Sequence, residues 1–229
     1  MNDRASAGGL SRRQESAELL VFLLLVVPPW LLSLLASGSA GGSFALLAVA
    51  TILRDVALVA LVLLLLSRAR QPVAAIGWVT RAAGREAALG AALFVPLLIG
   101  MQALNIALRG AGLSGPRTTA LLAAPDVGQL LLGVALVAVV AVAEETIFRG
   151  YLILRFASVL RSRGWAVLLS ALVFSAGHGY EGGAGVLTAG VTGLALAGLY
   201  VWRHSLVAPV VAHFLLDFFA IVVVPLLLG

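Results

Sequence analysis

The sequence predicts an all-α protein, a polytopic transmembrane helical bundle with about seven membrane helices. Mean hydropathy is +1.10 and only 11% of the 229 residues are charged, whereas a soluble domain has about 25% charged residues. Seven apolar stretches are separated by short polar junctions, and at about 20 residues per span they occupy nearly the whole chain. These observations exclude an ordinary soluble domain and predict a single membrane-embedded helical domain over residues 19–229.

The elements follow from the apolar stretches in chain order. Residues 1–18 are polar and predict an N-terminal tail. The first apolar stretch is longer than the 7 to 15 residues, roughly, of a signal-peptide core, so we expect an uncleaved first span. The predicted spans are residues 19–35, 44–66, 86–108, 127 into the 150s, 165–178, 185–202 and 206–228.

Basic residues mark every second junction. All 15 basic residues are arginines, and cytoplasmic junctions of membrane proteins are enriched in them. The pattern predicts a multi-pass protein of the cell membrane with a cytoplasmic N-terminus and tail, and membrane lipids rather than nucleic acid as its surroundings. Because the chain has no cysteine, disulfides and a cysteine nucleophile are excluded. The arginines that define the pattern are Arg12, Arg13, Arg68, Arg70, Arg81, Arg85, Arg155, Arg161, Arg163 and Arg203.

The fourth span carries charge where hydrocarbon is expected. Glu144, Glu145 and Arg149 lie inside a stretch that nothing but Gly150 interrupts, so we predict one long helix, with Asp126 as its N-terminal cap. Positions four apart share a helix face, so Glu145 can pair with Arg149 while Glu144 points elsewhere. Ionisable groups inside a membrane are a functional-site hypothesis by default.

Polar groups of two later spans fall at a similar depth. At about 1.5 Å per residue from the cytoplasmic ends, Glu144 lies roughly 24 Å up, His178 roughly 21 Å, Asp217 roughly 18 Å and His213 roughly 12 Å. His213 and Asp217 are four residues apart and share a face. We therefore expect these side chains to meet in one slab of the membrane.

Such a set supports two kinds of hydrolytic chemistry. A carboxylate can take a proton from water while an imidazole orients the water and donors stabilise the oxyanion. Equally, two histidines and a carboxylate are a normal ligand set for catalytic zinc. In that case Glu144, His178 and His213 are the candidate ligands of zinc or another divalent metal, and the residues leave both mechanisms open.

The three motifs together resemble those of a known family. Glu144-Glu145-Thr146-Ile147-Phe148-Arg149 is similar to an EExxxR motif, 174–178 to FxxxH, and 213–217 to HxxxN/D. Motifs of this order and spacing are found in the CAAX-protease and bacteriocin-processing family (CPBP, also called Abi) of intramembrane endopeptidases. The resemblance covers residues 127–229, which we therefore interpret as the catalytic part.

The resemblance implies a role for each residue. Glu144 and His178 would activate water, His213 and the residue at 217 would support the oxyanion, and Glu145 and Arg149 would be supporting. The substrate would be a peptide or protein, such as a membrane-associated or lipidated CAAX-type protein. Prenyl-protein proteases of the family carry Asn where this chain has Asp217. Asp217 would then be protonated, orient His213 or ligate a metal.

Two other functions use the same polar residues. A non-catalytic immunity or scaffold protein would bind a partner through the cluster, and a transporter would carry ions through it. Transport favours broken helices in repeated halves, and the sequence shows no such repeat. Arg54 and Asp55 interrupt the second span, and we expect them to pair with neighbouring helices or to border the cavity.

Overall fold

The computed structural model describes residues 10–36, 43–115 and 126–228. Regular structure within these ranges is helical, with no strand, so the all-α prediction is confirmed. Helices α4 and α7 each contain a widened π-helical segment, at Glu145–Leu152 and Phe219–Val223. The helices are α1 Arg12–Ala36, α2 Phe44–Arg68, α3 Ala83–Gly110, α4 Val127–Leu160, α5 Arg163–Gly177, α6 Gly182–Arg203 and α7 Val207–Leu228, with 3₁₀ turns at Val73–Ile76 and Gly179–Glu181.

Several of these helices have the length and composition of membrane spans. Five of those described qualify, namely α2, α3, α4, α6 with its preceding turn, and α7. Helix α5 is a shorter apolar helix. Many large apolar side chains on α1, α2, α3, α6 and α7 are exposed, as expected of surfaces that face lipid rather than water. The protein is therefore a multi-pass membrane protein.

The long fourth helix begins at the predicted cap. The Asp126 side chain accepts a hydrogen bond from the Gln129 amide at 2.7 Å, and the Gln129 side chain accepts one from the Asp126 amide at 3.1 Å. This reciprocal capping box satisfies two amides that the first turn leaves unpaired. The prediction of one helix from 127 into the 150s is confirmed.

The first helix begins earlier than the apolar pattern predicts. It starts at Arg12 rather than residue 19, because Ser11 and Gln14 form a second capping arrangement, with the Ser11 amide donating to the Gln14 side chain at 2.8 Å. The added turns are polar, so hydropathy alone missed them. They carry Glu15 and Glu18, which bind a residue of α4.

That residue is Arg155, which was expected to mark a cytoplasmic junction. It is instead fully buried and lies 3.5 Å from Glu15 and 3.4 Å from Glu18. Its guanidinium also donates to Gln71 at 3.0 Å and lies over the ring of Tyr151 at 5.2 Å. Arg155 therefore joins α1 to α4, and the interpretation of its charge as a topology signal alone was wrong.

Two further charged pairs sit on the membrane helices. Arg203, also interpreted as a junction residue, donates to Glu86 on α3, from Nη2 to Oε1 at 2.6 Å and from Nε to Oε1 and Oε2 at 3.1 and 3.3 Å. The expectation that Arg54 and Asp55 pair with neighbouring helices was wrong. They pair with each other, at 2.8 Å, with Asp55 buried and Arg54 half-exposed.

Candidate active site

The polar cluster lies where α4 changes its winding. The segment Glu145–Leu152 is a π-helix and all its residues are buried. A π-helical turn inserts an extra residue per turn, re-aims side chains and is frequent at functional sites. Thr146 Oγ1 donates to the Val142 carbonyl at 2.6 Å, and Ser170 Oγ on α5 donates to the Phe148 carbonyl at 2.6 Å. This widening has no sequence signal, because the composition suits an ordinary helix equally well.

Glu145 and Arg149 form the predicted pair. Glu145 Oε1 lies 2.9 Å from an Arg149 guanidinium nitrogen, and both side chains are fully buried. Arg149 also donates to the Gly193 carbonyl on α6 at 3.4 Å and lies over the Phe174 ring of α5 at 4.3 Å. Three helices thus fix one guanidinium, which compensates the buried carboxylate beside it.

His213 of α7 is held by the same carboxylate. Its Nδ1 lies 2.7 Å from Glu145 Oε1, and because an ionised carboxylate only accepts, Nδ1 carries the hydrogen. Nε2 faces Asp217 Oδ2 at 3.3 Å and Glu144 Oε2 at 3.7 Å. The contact with Glu145 was not predicted, because residues 68 positions apart share no local pattern.

Glu144 and Asp217 are the more accessible carboxylates of the cluster. Their side chains are 18% and 28% exposed, against 0% for Glu145. Glu144 points away from the Glu145–Arg149 pair towards His213, as the helical rotation predicts. Of the three roles considered for Asp217, its contact with His213 fits the orienting one.

His178 ends α5 beside this cluster. Its Nδ1 lies 2.9 Å from the Phe174 carbonyl, so Nδ1 donates and Nε2 is free to accept in the neutral ring. The Phe174 ring lies between the two histidines, with its centroid 4.4 Å from His178 and 6.2 Å from His213. His178 and Glu144 interact electrostatically. The structure thus brings together Glu144, Glu145, Arg149, His213 and Asp217 in direct contact, with His178 next to them.

A turn after His178 borders the cluster. The Glu181 amide donates to the His178 carbonyl at 3.0 Å, and the Tyr180 ring stacks near His178 at 6.1 Å. The Glu181 side chain lies against Gly185, where a Cβ would come within 2.3 Å of the Glu181 Cβ. Its charge interacts with His178 and Asp217. This glycine-rich turn therefore adds a carboxylate that the motif comparison did not include.

Asp55 of α2 is a second residue that the motifs did not include. It is buried in the helix interface and its charge interacts with Glu144. Its position in a membrane span was the only sequence signal, and the partner helix could not be read from the sequence. Helix α2 packs along α4, so it forms one side of the site.

A metal requires several ligands converging on one point. Within the part of the chain that the structure describes, no group of three or more His, Asp or Glu side chains is arranged to hold a metal ion. Nδ1 of His213 and Nδ1 of His178 are both engaged by oxygen acceptors, which leaves Nε2 as the nitrogen of each ring that could bind a metal. A role for zinc at Glu144, His178 and His213 remains a prediction.

Comparison with known proteins identifies the C-terminal part of the chain. Residues 126–219 match the family model described as Rce1-like, type II CAAX prenyl endopeptidase. This segment is similar to the Rce1-like family. It contains every candidate site residue named above from α4, α5 and α7, and it confirms the family that the three motifs indicate. No curated protein and no solved structure matches the chain significantly.

The Rce1-like match supports the protease class of function. The family is one of endopeptidases that act on CAAX-type substrates, and the match lies in a protein with several helices long and apolar enough to span a membrane. Together they support an intramembrane protease with a peptide or protein substrate.

Proposed function

We propose that the chain is an intramembrane endopeptidase that hydrolyses peptide bonds near the ends of membrane-associated or lipidated, CAAX-type proteins or peptides. One observation carries the proposal beyond the family match. His213 is clamped at Nδ1 by the buried Glu145, while its Nε2 faces Glu144 and Asp217. A histidine that only held helices together would not require a second, more accessible carboxylate near Nε2, because its Nδ1 already has a partner.

Glu144 and His178 activate the water in this mechanism. Glu144 takes one proton from the water, and Nε2 of His178 accepts the other O–H as a hydrogen bond and so orients it. The hydrogen bond from His178 Nδ1 to the Phe174 carbonyl supports this assignment, because it leaves Nε2 as the acceptor. The oxygen then attacks the carbonyl carbon of the scissile bond.

His213 and Asp217 support the oxyanion that forms. Since Nδ1 donates to Glu145, Nε2 carries a hydrogen only in the imidazolium form, and that form donates to the oxyanion. Asp217 Oδ2, 3.3 Å from Nε2, orients the ring before substrate binds. Glu145 and Arg149 are supporting residues that hold the His213 ring.

Collapse of the tetrahedral intermediate completes the proton balance. The C–N bond breaks, the proton that Glu144 took from water passes to the leaving nitrogen, and Glu144 returns to its carboxylate form. The products are a carboxylic acid and an amine, so no oxidant, reductant or co-reactant is required. The low dielectric of the bundle strengthens each of these electrostatic contacts relative to water.

The catalytic part would comprise residues 127–229, within one membrane-embedded domain at 19–229. The arginine-rich junctions favour a cytoplasmic N-terminal tail at 1–18. Under this orientation the end of α4 near Leu160 faces the cytoplasm, and the site lies within the bilayer above it.

The proposal is tested by cleavage of a panel of fluorogenic peptides in lipid, with farnesylated, geranylgeranylated and unlipidated members. Purified wild-type protein should cleave at least one member, and Glu144→Gln should lose activity by about 10³-fold at unchanged thermal stability. A zinc chelator should leave the wild-type rate unchanged, whereas inhibition reversed by added zinc would favour the metal-dependent mechanism. If wild type and Glu144→Gln fold equally well and neither cleaves any member of the panel, the proposal is contradicted and the hypothesis of an immunity or scaffold protein is favoured.

A further inference from the structure

The junction between α2 and α3 reaches into the bundle at Ile76 and Gly77, which are buried, while residues 73–75 stay exposed. Its 3₁₀ turn at Val73–Ile76 ends in a fully buried Ile76. Gly77 follows with φ +91°, and a Cβ there would lie 2.5 Å from the Tyr200 ring. Only glycine combines that backbone conformation with so close a contact. The segment 73–79, which we call the wedge loop, therefore packs directly on α6.

The wedge loop is hydrogen-bonded to the start of the π-helical segment. Trp78 Nε1 donates to Thr146 Oγ1 at 3.0 Å, and Thr146 Oγ1 donates in turn to the Val142 carbonyl at 2.6 Å. Thr146 is fully buried and directly follows Glu145. A buried hydroxyl with both its donor and an acceptor site engaged has one preferred orientation. The indole therefore fixes the helix turn that carries Glu144 and Glu145.

The same loop contacts the start of α7. The Gly77 carbonyl accepts a hydrogen bond from the Leu206 amide at 2.9 Å, and Leu206 is the cap residue of the helix that carries His213. A Cβ on Gly150 of α4 would meet Ile76 at 3.0 Å and Leu206 at 3.4 Å. The wedge loop is therefore hydrogen-bonded to both helices of the candidate site, to α4 through Trp78 and Thr146 and to α7 through Gly77 and Leu206.

We propose that Trp78 is a positioning residue of the peptidase, and that the wedge loop sets the register between α4 and α7. The inference rests on the proposed function. Trp78 acts through Thr146 and is not itself a catalytic residue. The Glu145–His213 contact joins the two helices at 2.7 Å, and a displacement of about 1 Å at a reacting centre can cost roughly 10²-fold in rate. Trp78 lies outside the Rce1-like segment, which begins at residue 126.

A merely structural tryptophan would affect stability and leave the rate of the folded protein unchanged. Positioning instead predicts a loss of kcat with KM preserved, because the loop acts on the groups that do the chemistry rather than on the substrate. Trp78→Phe keeps the ring and removes the donor. Thr146→Val removes the other partner of the same bond, and Thr146→Ser restores it.

The first experiment measures kcat and KM of these variants per folded protein. Trp78→Phe and Thr146→Val should each lower kcat by about 10-fold to 100-fold, with KM within about twofold. The double variant should be no worse than Thr146→Val alone, since both substitutions remove the bond from Trp78 to Thr146, and Thr146→Ser should be near wild type. Trp165→Phe, at an exposed tryptophan of α5, is the matched control. An unchanged kcat in Trp78→Phe, or losses that multiply in the double variant, would overturn the proposal.

A second experiment needs no peptidase activity, so it separates this inference from the proposed function. Because the chain has no cysteine, spin labels can be attached at introduced cysteines at Leu131 on α4 and Leu226 on α7, both exposed. The distance distribution between the labels should shift or broaden in Trp78→Phe and Thr146→Val, and match wild type in Thr146→Ser and Trp165→Phe. Identical distributions in all five proteins would overturn the proposal even if the wild type is an active peptidase.

Discussion

Helix α4 carries two buried arginines about 9 Å apart along its axis, and they occupy different kinds of cluster. Arg155 is surrounded by groups that only accept its hydrogen bonds, from Glu15, Glu18 and Gln71. Arg149 instead compensates Glu145, whose carboxylate also holds His213. Around His213 lie two further carboxylates, Glu144 and Asp217, whereas within the described residues no histidine contacts the carboxylates around Arg155.

The difference shows that buried charge in an apolar helix does not by itself identify a functional site. Both clusters join helices, and breaking either leaves charge uncompensated in a low dielectric. The distinguishing feature is an imidazole that faces a second, accessible carboxylate, Glu144, in addition to the one that holds it. We therefore assign catalysis to the Arg149 cluster and helix assembly to the Arg155 cluster.

The largest expected effect comes from removing the imidazole of the first cluster. His213→Asn should lower kcat/KM by about 10³-fold, because it replaces the charged oxyanion donor by a shorter, neutral amide and frees Glu145. The measurement is cleavage of the best peptide of the panel. His204→Asn is the matched control at an exposed site in the left-handed conformation, which Asn tolerates. Retention of activity in His213→Asn would remove His213 from the mechanism.

The two arginines can be compared directly. Arg149→Met should destabilise the protein by about 3–5 kcal/mol, since it removes the buried counter-charge of Glu145, and Arg155→Met should destabilise it less, since Glu15 and Glu18 are partly exposed. Unfolding in mixed detergent and SDS measures this, and cleavage per folded protein measures function. Only Arg149→Met should also reduce kcat. A similar loss of kcat in Arg155→Met would break the distinction between the clusters.

Asp217 gives a smaller effect. Asp217→Asn should stay within about tenfold of the wild-type kcat, because an amide still hydrogen-bonds His213 and can itself donate to the oxyanion. Steady-state kinetics check this, with Asp217→Ala as the comparison expected to lose more. A loss in Asp217→Asn as large as that in His213→Asn would indicate that the aspartate charge is required.

The smallest expected effect comes from displacing the turn beside His178. Gly185→Ala places a Cβ 2.3 Å from the Glu181 Cβ and should displace that turn, whereas Gly183→Ala meets its nearest neighbour at 3.6 Å. We expect a several-fold loss of kcat/KM for Gly185→Ala and none for Gly183→Ala. Equal activity of the two variants would show that the Glu181 turn does not contribute to the site.

Sequence reasoning succeeded where the information is local. Seven apolar stretches correspond to seven helices in the part of the chain that the structure describes, the Asp126 cap is present, and the spacing of Glu145 and Arg149 produces their ion pair. The depth estimate also brought residues of different helices together, and Glu144 and His213 are in contact. These features depend on periodicity and on the number of residues per span, both of which can be read directly from the sequence.

The rest depends on contacts between distant segments. Arg155 and Arg203 were predicted to be junction residues, because the sequence around an arginine does not reveal whether it faces lipid headgroups or a glutamate of another helix. The bond from Trp78 to Thr146 joins positions 68 residues apart, and the π-helical widening at Glu145 carries no compositional signature. These features became evident only in the folded structure.

The most direct test of the comparison is a single assay of Glu144→Gln and Glu18→Gln against wild type. Both variants remove one carboxylate charge next to α4, one from each cluster. We predict that Glu144→Gln loses about 10³-fold in kcat/KM per folded protein, while Glu18→Gln retains wild-type kcat/KM and unfolds more easily. Equal cleavage by wild type and Glu144→Gln, or an equal loss in both variants, would contradict it.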